Sequence, residues 1–188
     1  TVLEVAKKYF YFRESTNCMV NISDGRVFLR RTEKKYDVIL MDAYSGTRYG
    51  SFIPYHLATR EFLTLAKDRL TDDGVLAYNV IGTFQGMRAD VLGAMYRTMH
   101  SVFPHVYMFP ARDSLNVVIV ATKTKERMTP ALLYQRANDL IRERVVMLPT
   151  FRTRAAAIVY QQPPAAPHSP ILIDDFAPVD GLLKAARQ

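Results

Sequence analysis

The segment from Tyr36 to Gly46 constrains the fold more than any other part of the chain. An apolar run that follows Asp37 ends in the carboxylate of Asp42, and a small, polar, glycine-containing loop comes next. This pattern is typical of a buried parallel strand that delivers an acid to the carboxyl edge of an open α/β sheet. Because ligands in such sheets bind at that edge, Asp42 is the residue that we most expect to take part in chemistry.

Length and composition predict one globular domain. The chain has 188 residues, of which 49% are hydrophobic and 23% are charged, and this suits a single domain with its own core. No apolar run approaches the roughly 20 residues that cross a bilayer, so we expect no membrane segment in this chain. The single cysteine, Cys18, fits a reducing compartment, and we expect a cytoplasmic protein. Cys18 falls in a predicted strand, Cys18–Ile22, and an inert buried thiol is expected there.

The charge of the chain is positive but dispersed. Lysine and arginine total 25 against 18 acidic residues, for a net charge of +7. The basic residues are spread over many predicted helices, which favours a solvated surface over a nucleic-acid partner. The four histidines, His56, His100, His105 and His168, have no metal-ligand spacing, so no metal is expected, and we expect each of them to be a surface or satisfied core residue.

The order of predicted elements indicates an α/β fold. Helices and strands alternate up to a helix over Phe84–Phe103, with a turn at Asp72–Gly74 before the third strand, and this order predicts a parallel sheet with helices on both faces. Two further strands, Val106–Phe109 and Leu115–Ala121, are joined by a short polar turn and therefore form an antiparallel pair. Farther along the chain, Thr129 followed by Pro130 predicts the start of another helix, with the hydroxyl as N-cap. We expect one domain over residues 1–160, and then an irregular tail with a short terminal helix over 161–188.

Six short segments resemble the spermidine synthase (polyamine aminopropyltransferase) family, particularly its bacterial synthase-like branch. They occur in the family's order over most of the chain: Val5 to Phe10, Asp24 to Leu29, Tyr36 to Asp42, Leu57 to Phe62, Leu70 to Leu76 and Asp174 to Val179. The resemblance implies a Rossmann-like sheet of the methyltransferase type, mostly parallel, with an antiparallel strand pair at its end.

The sequence departs from the family in lacking a glycine-rich nucleotide loop. In relatives that loop, and an acid that binds the ribose, precede the segment similar to Val2–Phe10. The resemblance thus implies a sheet without its first two strands, which leaves an unpaired inner strand edge and exposed apolar surface. We expect a fragment or truncated product that alone is inactive and binds a sulfonium nucleoside poorly.

The resemblance also implies a nucleoside site. The cofactor would be decarboxylated S-adenosylmethionine or S-adenosylmethionine, with methylthioadenosine as the product of the former. Asp24 would hold the adenine amino group, with Gly25 and Ala43 as further cofactor-binding residues. The alternative for Asp24 is a helix N-cap. Asp42 would act as the catalytic base toward the amine, and its alternative is a cap of the following turn.

The amine-binding residues are less closely matched. The expected substrate-binding residues are Tyr44, Ser45, Asn79, Asp174 and Asp175. Ser45 stands where the family usually has a second acid, so one countercharge for a cationic substrate is lost. Tyr44 either lines an amine channel or packs in its loop. Asp174 and Asp175 either return to the mouth of the site or cap the closing helix or its turn.

Three functions are therefore open. The first is aminopropyl transfer to a small-molecule amine when the domain is complete. The second is an S-adenosylmethionine-dependent methyltransferase on the same fold, and the third is a non-catalytic synthase-like module. Assembly into a homo-oligomer is compatible with each.

Overall fold

Helices and strands alternate along the part of the chain that the structure describes, which comprises residues 2–47, 50–86 and 89–179 of a computed structural model. The helices are α1 (Val2–Tyr9), α2 (Gly25–Arg31), α3 (Arg60–Asp68), α4 (Ala89–His100), α5 (Pro130–Arg142) and α6 (Phe151–Ala155). The strands are β1 (Tyr36–Met41), β2 (Ser45–Thr47), β3 (Gly50–Phe52), β4 (Leu70–Ile81), β5 (His105–Pro110) and β6 (Asn116–Thr122). Short 3₁₀ turns occur at Tyr55–Leu57 and Ala166–His168.

Four strands form an open mixed sheet in the order β1-β4-β6-β5. β1 pairs with β4 in parallel, and β6 runs antiparallel to both of its neighbours, β4 and β5. Hence β1, β4 and β5 point in one direction and β6 alone opposes them. The predicted α/β class and the predicted antiparallel pair at the end of the sheet are both confirmed.

Strand β1 lies at the edge of the sheet and carries an uncovered apolar face. Among the described residues it pairs with β4 only. Val38 is 55% exposed and Leu40 is 73% exposed, whereas Ile39, on the other face of the strand, is buried. Helix α1 buries none of its residues. The expected unpaired strand edge and exposed apolar surface are therefore both present.

The core is built on one face of β4. Its alternate residues Leu76, Tyr78 and Val80 are fully buried, as a period of two along a strand requires. Apolar residues of α3 and α4, among them Phe62 and Met95, belong to the same buried cluster. This packing fixes the end of β4 relative to the rest of the sheet.

The segment after Tyr160 packs on α4. The backbone N–H of Leu172 donates to Thr98 Oγ1 at 3.0 Å, and its carbonyl accepts from the N–H of Arg60 at 2.8 Å. A Cβ placed on Gly93 would lie 2.5 Å from Ser169 Oγ, so α4 needs glycine there to admit the segment. The boundary at residue 160 stays a prediction, and the predicted terminal helix falls almost wholly outside the described residues.

The predicted strand Cys18–Ile22 is wrong. Ser15 and Cys18 form only an isolated bridge, and Ile22 is 75% exposed. No neighbouring strand in the described part of the chain supplies backbone partners for this segment or covers its apolar side chains. Cys18 is consequently exposed and is not the buried thiol that we expected.

Two boundaries differ from the predicted ones because of glycine. The turn expected at Asp72–Gly74 lies inside β4, where the register passes from Tyr36 opposite Leu70 to Val38 opposite Val75. A Cβ on Gly74 would lie 2.9 Å from the Tyr36 carbonyl oxygen, so only glycine permits this irregularity. The helix expected from Phe84 begins at Ala89, since Gly86 has a φ of +80° that no helix accommodates.

Candidate active site

Asp42 lies directly after the carboxyl end of β1, where the sequence placed it. Its side chain is exposed, and its Oδ1 accepts a 2.9 Å hydrogen bond from Asn79 Nδ2, at the end of β4. Among the described residues, Oδ2 accepts no hydrogen bond. One carboxylate oxygen is thus held by the protein, and the side chain as a whole is exposed, which suits a group that accepts a proton.

A second asparagine fixes the orientation of the first. Asn116 Nδ2 donates to Asn79 Oδ1 at 2.9 Å. Asn79 pairs with Val118 across the sheet and Asn116 pairs with Ile81, so the two asparagines are diagonal neighbours on one face. Because the amide oxygen of Asn79 already has a donor, its NH₂ group is the end that faces Asp42. We expected the side-chain amide of Asn79 to contact substrate. In the structure its nitrogen and its oxygen both make hydrogen bonds within the protein.

Tyr44 joins the loop after β1 to the end of β4. Its hydroxyl donates to the Asn79 carbonyl at 2.7 Å and accepts from the Ile81 N–H at 2.9 Å. The ring is half-buried and packs against the core. Burial raises the pKa of Tyr44, so its hydroxyl stays neutral at physiological pH. The structure shows the packed arrangement, and the lining of an amine channel by this ring stays a prediction.

The other two loop residues flank Tyr44. Ala43 is half-buried and packs against the core, and Ser45 begins β2 opposite Phe52 of β3. The structure therefore brings Asn79 of β4 together with Asp42 and Tyr44 of the loop after β1, and Ala43 and Ser45 flank Tyr44 on that loop.

Asp24 is the N-cap of α2. Its Oδ1 accepts a 2.9 Å hydrogen bond from the backbone N–H of Val27, and its Oδ2 lies 2.8 Å from His56 Nε2. The hydrogen bond from the Val27 N–H lowers the pKa of Asp24, and the hydrogen bond with His56 lowers it further. The capping alternative is confirmed, whereas contact with adenine stays a prediction. A Cβ on Gly25 would meet no atom within 4 Å, so the space beside it is open.

The order of elements favours a position of Asp24 at the same edge of the sheet as Asp42. Helix α2 is followed after four residues by β1. A helix that packs back along its strand has its N-terminus near the end of that strand, and Asp24 caps the N-terminus of α2. His56 comes from the 3₁₀ turn that follows the β1 loop, so its bond to Asp24 joins that loop to α2.

Asp174 belongs to the surroundings of Asp24 rather than to those of Asp42. Arg26 binds both of its carboxylate oxygens, at 2.7 and 2.6 Å, and Thr59 Oγ1 donates to it at 2.7 Å. The hydrogen bonds from Arg26 lower the pKa of Asp174 to about 2. Asp174 and the exposed Asp175 occupy the centre of the tight turn at 173–176. Their contact with a substrate stays a prediction.

Four residues of these clusters were missed by reasoning from sequence: Arg26, His56, Thr59 and Asn116. Each acts on a partner that lies at least 30 residues away in the chain. His56 was expected to be a surface or satisfied core residue, and no local spacing marks it otherwise. Asn116 begins a strand of Val and Ile residues, and that polar start was the one available signal.

The described residues contain neither a metal cluster nor a membrane-spanning helix. Within residues 2–47, 50–86 and 89–179, no group of three or more histidine, cysteine, aspartate or glutamate side chains could hold a metal ion. Across the same ranges, every helix is too short or too polar to cross a membrane.

Known proteins share this arrangement of sequence and fold. The domain family described as "Spermine/spermidine synthase domain" matches residues 1–131. A polyamine aminopropyltransferase of Vibrio vulnificus is 39% identical over 138 residues, which cover 71% of this chain and 43% of that protein.

Two solved structures extend the likeness to the fold. Human methyltransferase-like protein 13 in complex with SAH matches with a TM-score of 0.65 and 25% identity, over 74% of this chain and 65% of that one. A probable spermidine synthase from Corynebacterium glutamicum matches with a TM-score of 0.59 and 17% identity, over 74% of this chain and 50% of that one. The Rossmann-like methyltransferase-type fold is confirmed.

The chain spans less than half the length of the Vibrio relative. The family model, however, covers well over half of this chain, including Asp24, Asp42, Asn79 and Asn116. The chain therefore belongs to the spermine/spermidine synthase family.

Proposed function

We propose that this domain serves aminopropyl transfer from decarboxylated S-adenosylmethionine to a small-molecule amine, with Asp42 as the base. The supporting observation is the exposed carboxylate of Asp42 at the end of β1, with one oxygen held by Asn79. Family membership supplies the class of reaction, and this geometry supplies a group that performs its proton transfer.

The reaction needs an uncharged nucleophile. An alkylamine resembles lysine, with a pKa of about 10.4, and is mostly protonated at neutral pH. In the proposed step, Asp42 Oδ2 accepts a proton from the amine, and the nitrogen lone pair attacks the propyl carbon bonded to the sulfonium. The carbon–sulfur bond breaks, its electron pair neutralises the sulfur, and methylthioadenosine leaves. The hydrogen bond from Asn79 to Oδ1 fixes the direction of Oδ2, and this orientation contributes to the rate of the proton transfer.

The nucleoside would lie between the N-terminus of α2 and the β1 loop. Asp24 would accept a hydrogen bond from the adenine amino group, and the open space beside Gly25 would admit the base. Because Oδ1 of Asp24 caps α2, adenine would share Oδ2 with His56 or displace it. Ala43 would pack beside the nucleoside.

The amine would enter past Tyr44 and Ser45. Ser45 offers a hydroxyl where a second carboxylate would grip the far ammonium of a diamine. A substrate with one amine group therefore fits this loop better than a long polyamine, and Asp175, which is exposed, remains a candidate for a distant countercharge.

Methyl transfer is the second candidate. It is favoured by Ser45 and by the likeness to human methyltransferase-like protein 13, whose structure contains SAH. The donor would then be S-adenosylmethionine, and the same base could serve an amine that is methylated. The two functions differ in the nucleoside that leaves: methylthioadenosine for aminopropyl transfer and S-adenosylhomocysteine for methyl transfer.

The test is to identify that product. The full reading frame that encodes these residues is incubated with an amine mixture and either donor, and the released nucleoside is identified by mass spectrometry. Methylthioadenosine formed from the decarboxylated donor, only when amine is present, supports the proposal. S-adenosylhomocysteine formed from S-adenosylmethionine supports the second candidate. Release of neither product, by a protein that is folded, would favour the non-catalytic module.

A further inference from the structure

A groove lies on the side of the sheet away from Asp42. Its two lobes have volumes of about 240 and 260 Å³ and share Tyr96, His100 and Gln162. The first lobe is also lined by His105 and Arg127. His105 begins β5, which points the same way as β1 and β4, so the groove opens at the amino edge of these strands, opposite the candidate active site.

The lining of the groove is rich in hydrogen-bond donors. Arg127 carries a permanent positive charge, and the imidazole of His100 has an N–H donor in its neutral form, whereas His105 donates from Nε2 to the Lys125 carbonyl at 3.3 Å. Tyr96 adds a hydroxyl, and burial raises the pKa of Tyr96, so that hydroxyl keeps its proton. None of the residues that line either lobe carries a carboxylate. Such a surface attracts anions and offers them donors.

The walls of the first lobe are held in place by contacts outside it. The guanidinium of Arg127 lies 5.7 Å from the ring centroid of Tyr160, and Arg127 Nη2 donates to the Tyr160 carbonyl. The next residue, Met128, donates its backbone N–H to Tyr107 Oη at 2.7 Å. Val159 is paired with Met108 of β5 by two backbone hydrogen bonds. Arg127 is therefore presented by a fixed loop against a fixed strand, which lowers the entropic cost of binding.

The buried aromatic groups leave donor capacity unused. The hydroxyl of Tyr160 is buried and has no hydrogen-bond partner among the described residues. Tyr96 is only 8% exposed and stacks on His100 at a centroid distance of 5.8 Å. A cluster with a fixed cation, two imidazoles and a tyrosine hydroxyl, and with no carboxylate among the described residues that line it, is more than a solvated surface requires.

We propose that this groove binds a phosphate-bearing small molecule, with the phosphate beside Arg127, His100 and His105. Arginine suits a phosphate because its planar fork donates two parallel hydrogen bonds. The first lobe holds the phosphate, and the second lobe, past Tyr96 and His100, accepts the remainder of the ligand. The site is separate from the proposed transferase site and does not depend on its activity.

The test is a titration of the full chain with inorganic phosphate at constant ionic strength, followed by the ring proton resonances of the histidines. The proposal predicts saturable shifts of the His100 and His105 resonances, with His168 unaffected. It further predicts that Arg127→Gln weakens phosphate binding about tenfold or more, since a charge-assisted contact is lost. Arg136→Gln removes the same charge from an exposed site on α5, outside the groove, and should change the affinity less than twofold.

Two results would overturn the proposal. One is the absence of saturable shifts at His100 and His105. The other is equal weakening by Arg127→Gln and Arg136→Gln, which would show that phosphate responds only to the net charge of the chain.

Discussion

Asn79 Nδ2 donates a 2.9 Å hydrogen bond to Asp42 Oδ1 and so ties the end of β4 to the end of β1. This bond joins residues that are 37 positions apart in the chain. It leaves Asp42 Oδ2 as the oxygen that is open to a substrate. The orientation of the proposed base is therefore a property of the sheet and of its packing, rather than of the loop alone.

Asn116 is expected to control this orientation through Asn79. In Asn116→Ala, the amide of Asn79 loses the donor that fixes which end faces Asp42. We expect kcat of the transfer reaction to fall about tenfold with KM for the amine little changed, as when an interaction that orients the reacting group is lost. The side-chain amide resonances of Asn79 should move as well. Asn17→Ala, in an exposed segment, is the control. An unchanged kcat together with unchanged Asn79 resonances would contradict this role.

Tyr44 is expected to stabilise the fold through its hydroxyl. Tyr44→Phe leaves the Ile81 N–H and the Asn79 carbonyl without this partner. We expect the free energy of unfolding, measured by urea denaturation, to fall by about 1–2 kcal/mol. Tyr134→Phe, at a ring that is 53% exposed, should change it by less than about 0.5 kcal/mol. Equal effects of the two substitutions would show that the Tyr44 hydroxyl bonds contribute nothing.

Gly93 is expected to be required for the packing of the C-terminal segment on α4. Its absent Cβ would lie 2.5 Å from Ser169 Oγ and 3.0 Å from backbone atoms of residues 165 and 166. Alanine stabilises a helix relative to glycine, but the steric conflict of the new Cβ costs more free energy than this gain. We therefore expect Gly93→Ala to destabilise the protein by about 1–3 kcal/mol.

Gly25→Ala is the matched control for Gly93→Ala in the same urea experiment. A Cβ on Gly25 meets nothing within 4 Å, so its substitution should be neutral or stabilise by less than about 1 kcal/mol. A stabilised Gly93→Ala protein would show that the segment does not pack as described.

Asp174 is expected to make stability depend on pH in the acid range. Its pKa in the folded protein is lowered from 3.8 to about 2, chiefly by the hydrogen bonds from Arg26. A lowered pKa means that the carboxylate stabilises the fold above about pH 4 and that this contribution is lost as the pH falls toward 2. Because the Asp174 side chain is 42% exposed, solvent screening keeps the effect modest.

The measurement is the difference in Tm between the parent protein and Asp174→Asn from pH 6 to pH 2. The parent should be the more stable protein at pH 6, and the difference should shrink toward pH 2. Asp175→Asn removes the same charge at the neighbouring exposed position and serves as the control. A gap for Asp174→Asn that is constant over this range would contradict the assignment to the Arg26 pair.

Local chemistry allowed much of the fold to be predicted from sequence. The apolar run before Asp42 predicted a strand, and Thr129 followed by Pro130 predicted the start of α5, where the Thr129 hydroxyl accepts from the N–H of Leu132. Asp24 was expected to be either a cap or a ligand-binding acid, and its capping bond is present. Each of these signals depends on residues that are close in sequence.

The predictions that failed concern features that depend on residues distant in sequence. The segment Cys18–Ile22 has strand-like residues, but strand formation needs a neighbour that composition cannot reveal. Likewise, Asp72–Gly74 carries turn residues, yet β4 absorbs them as an irregularity opposite β1. The partners of the site, His56 and Asn116, are set by tertiary packing, and the polar start of β6 at Asn116 was the one local signal for either of them.

The central claim is that Asp42 accepts the proton of the amine. It is tested most directly by single-turnover rates of methylthioadenosine formation, measured with the full reading frame and its Asp42→Asn variant. The substituted amide keeps an oxygen that can accept from Asn79 but takes no proton. We therefore expect the rate to fall about 10²–10⁴-fold while methylthioadenosine binding is retained. Asp37→Asn makes the same change at the start of β1 and should leave the rate within about twofold. A rate for Asp42→Asn that equals the rate for Asp37→Asn would contradict the assignment of Asp42 as the base.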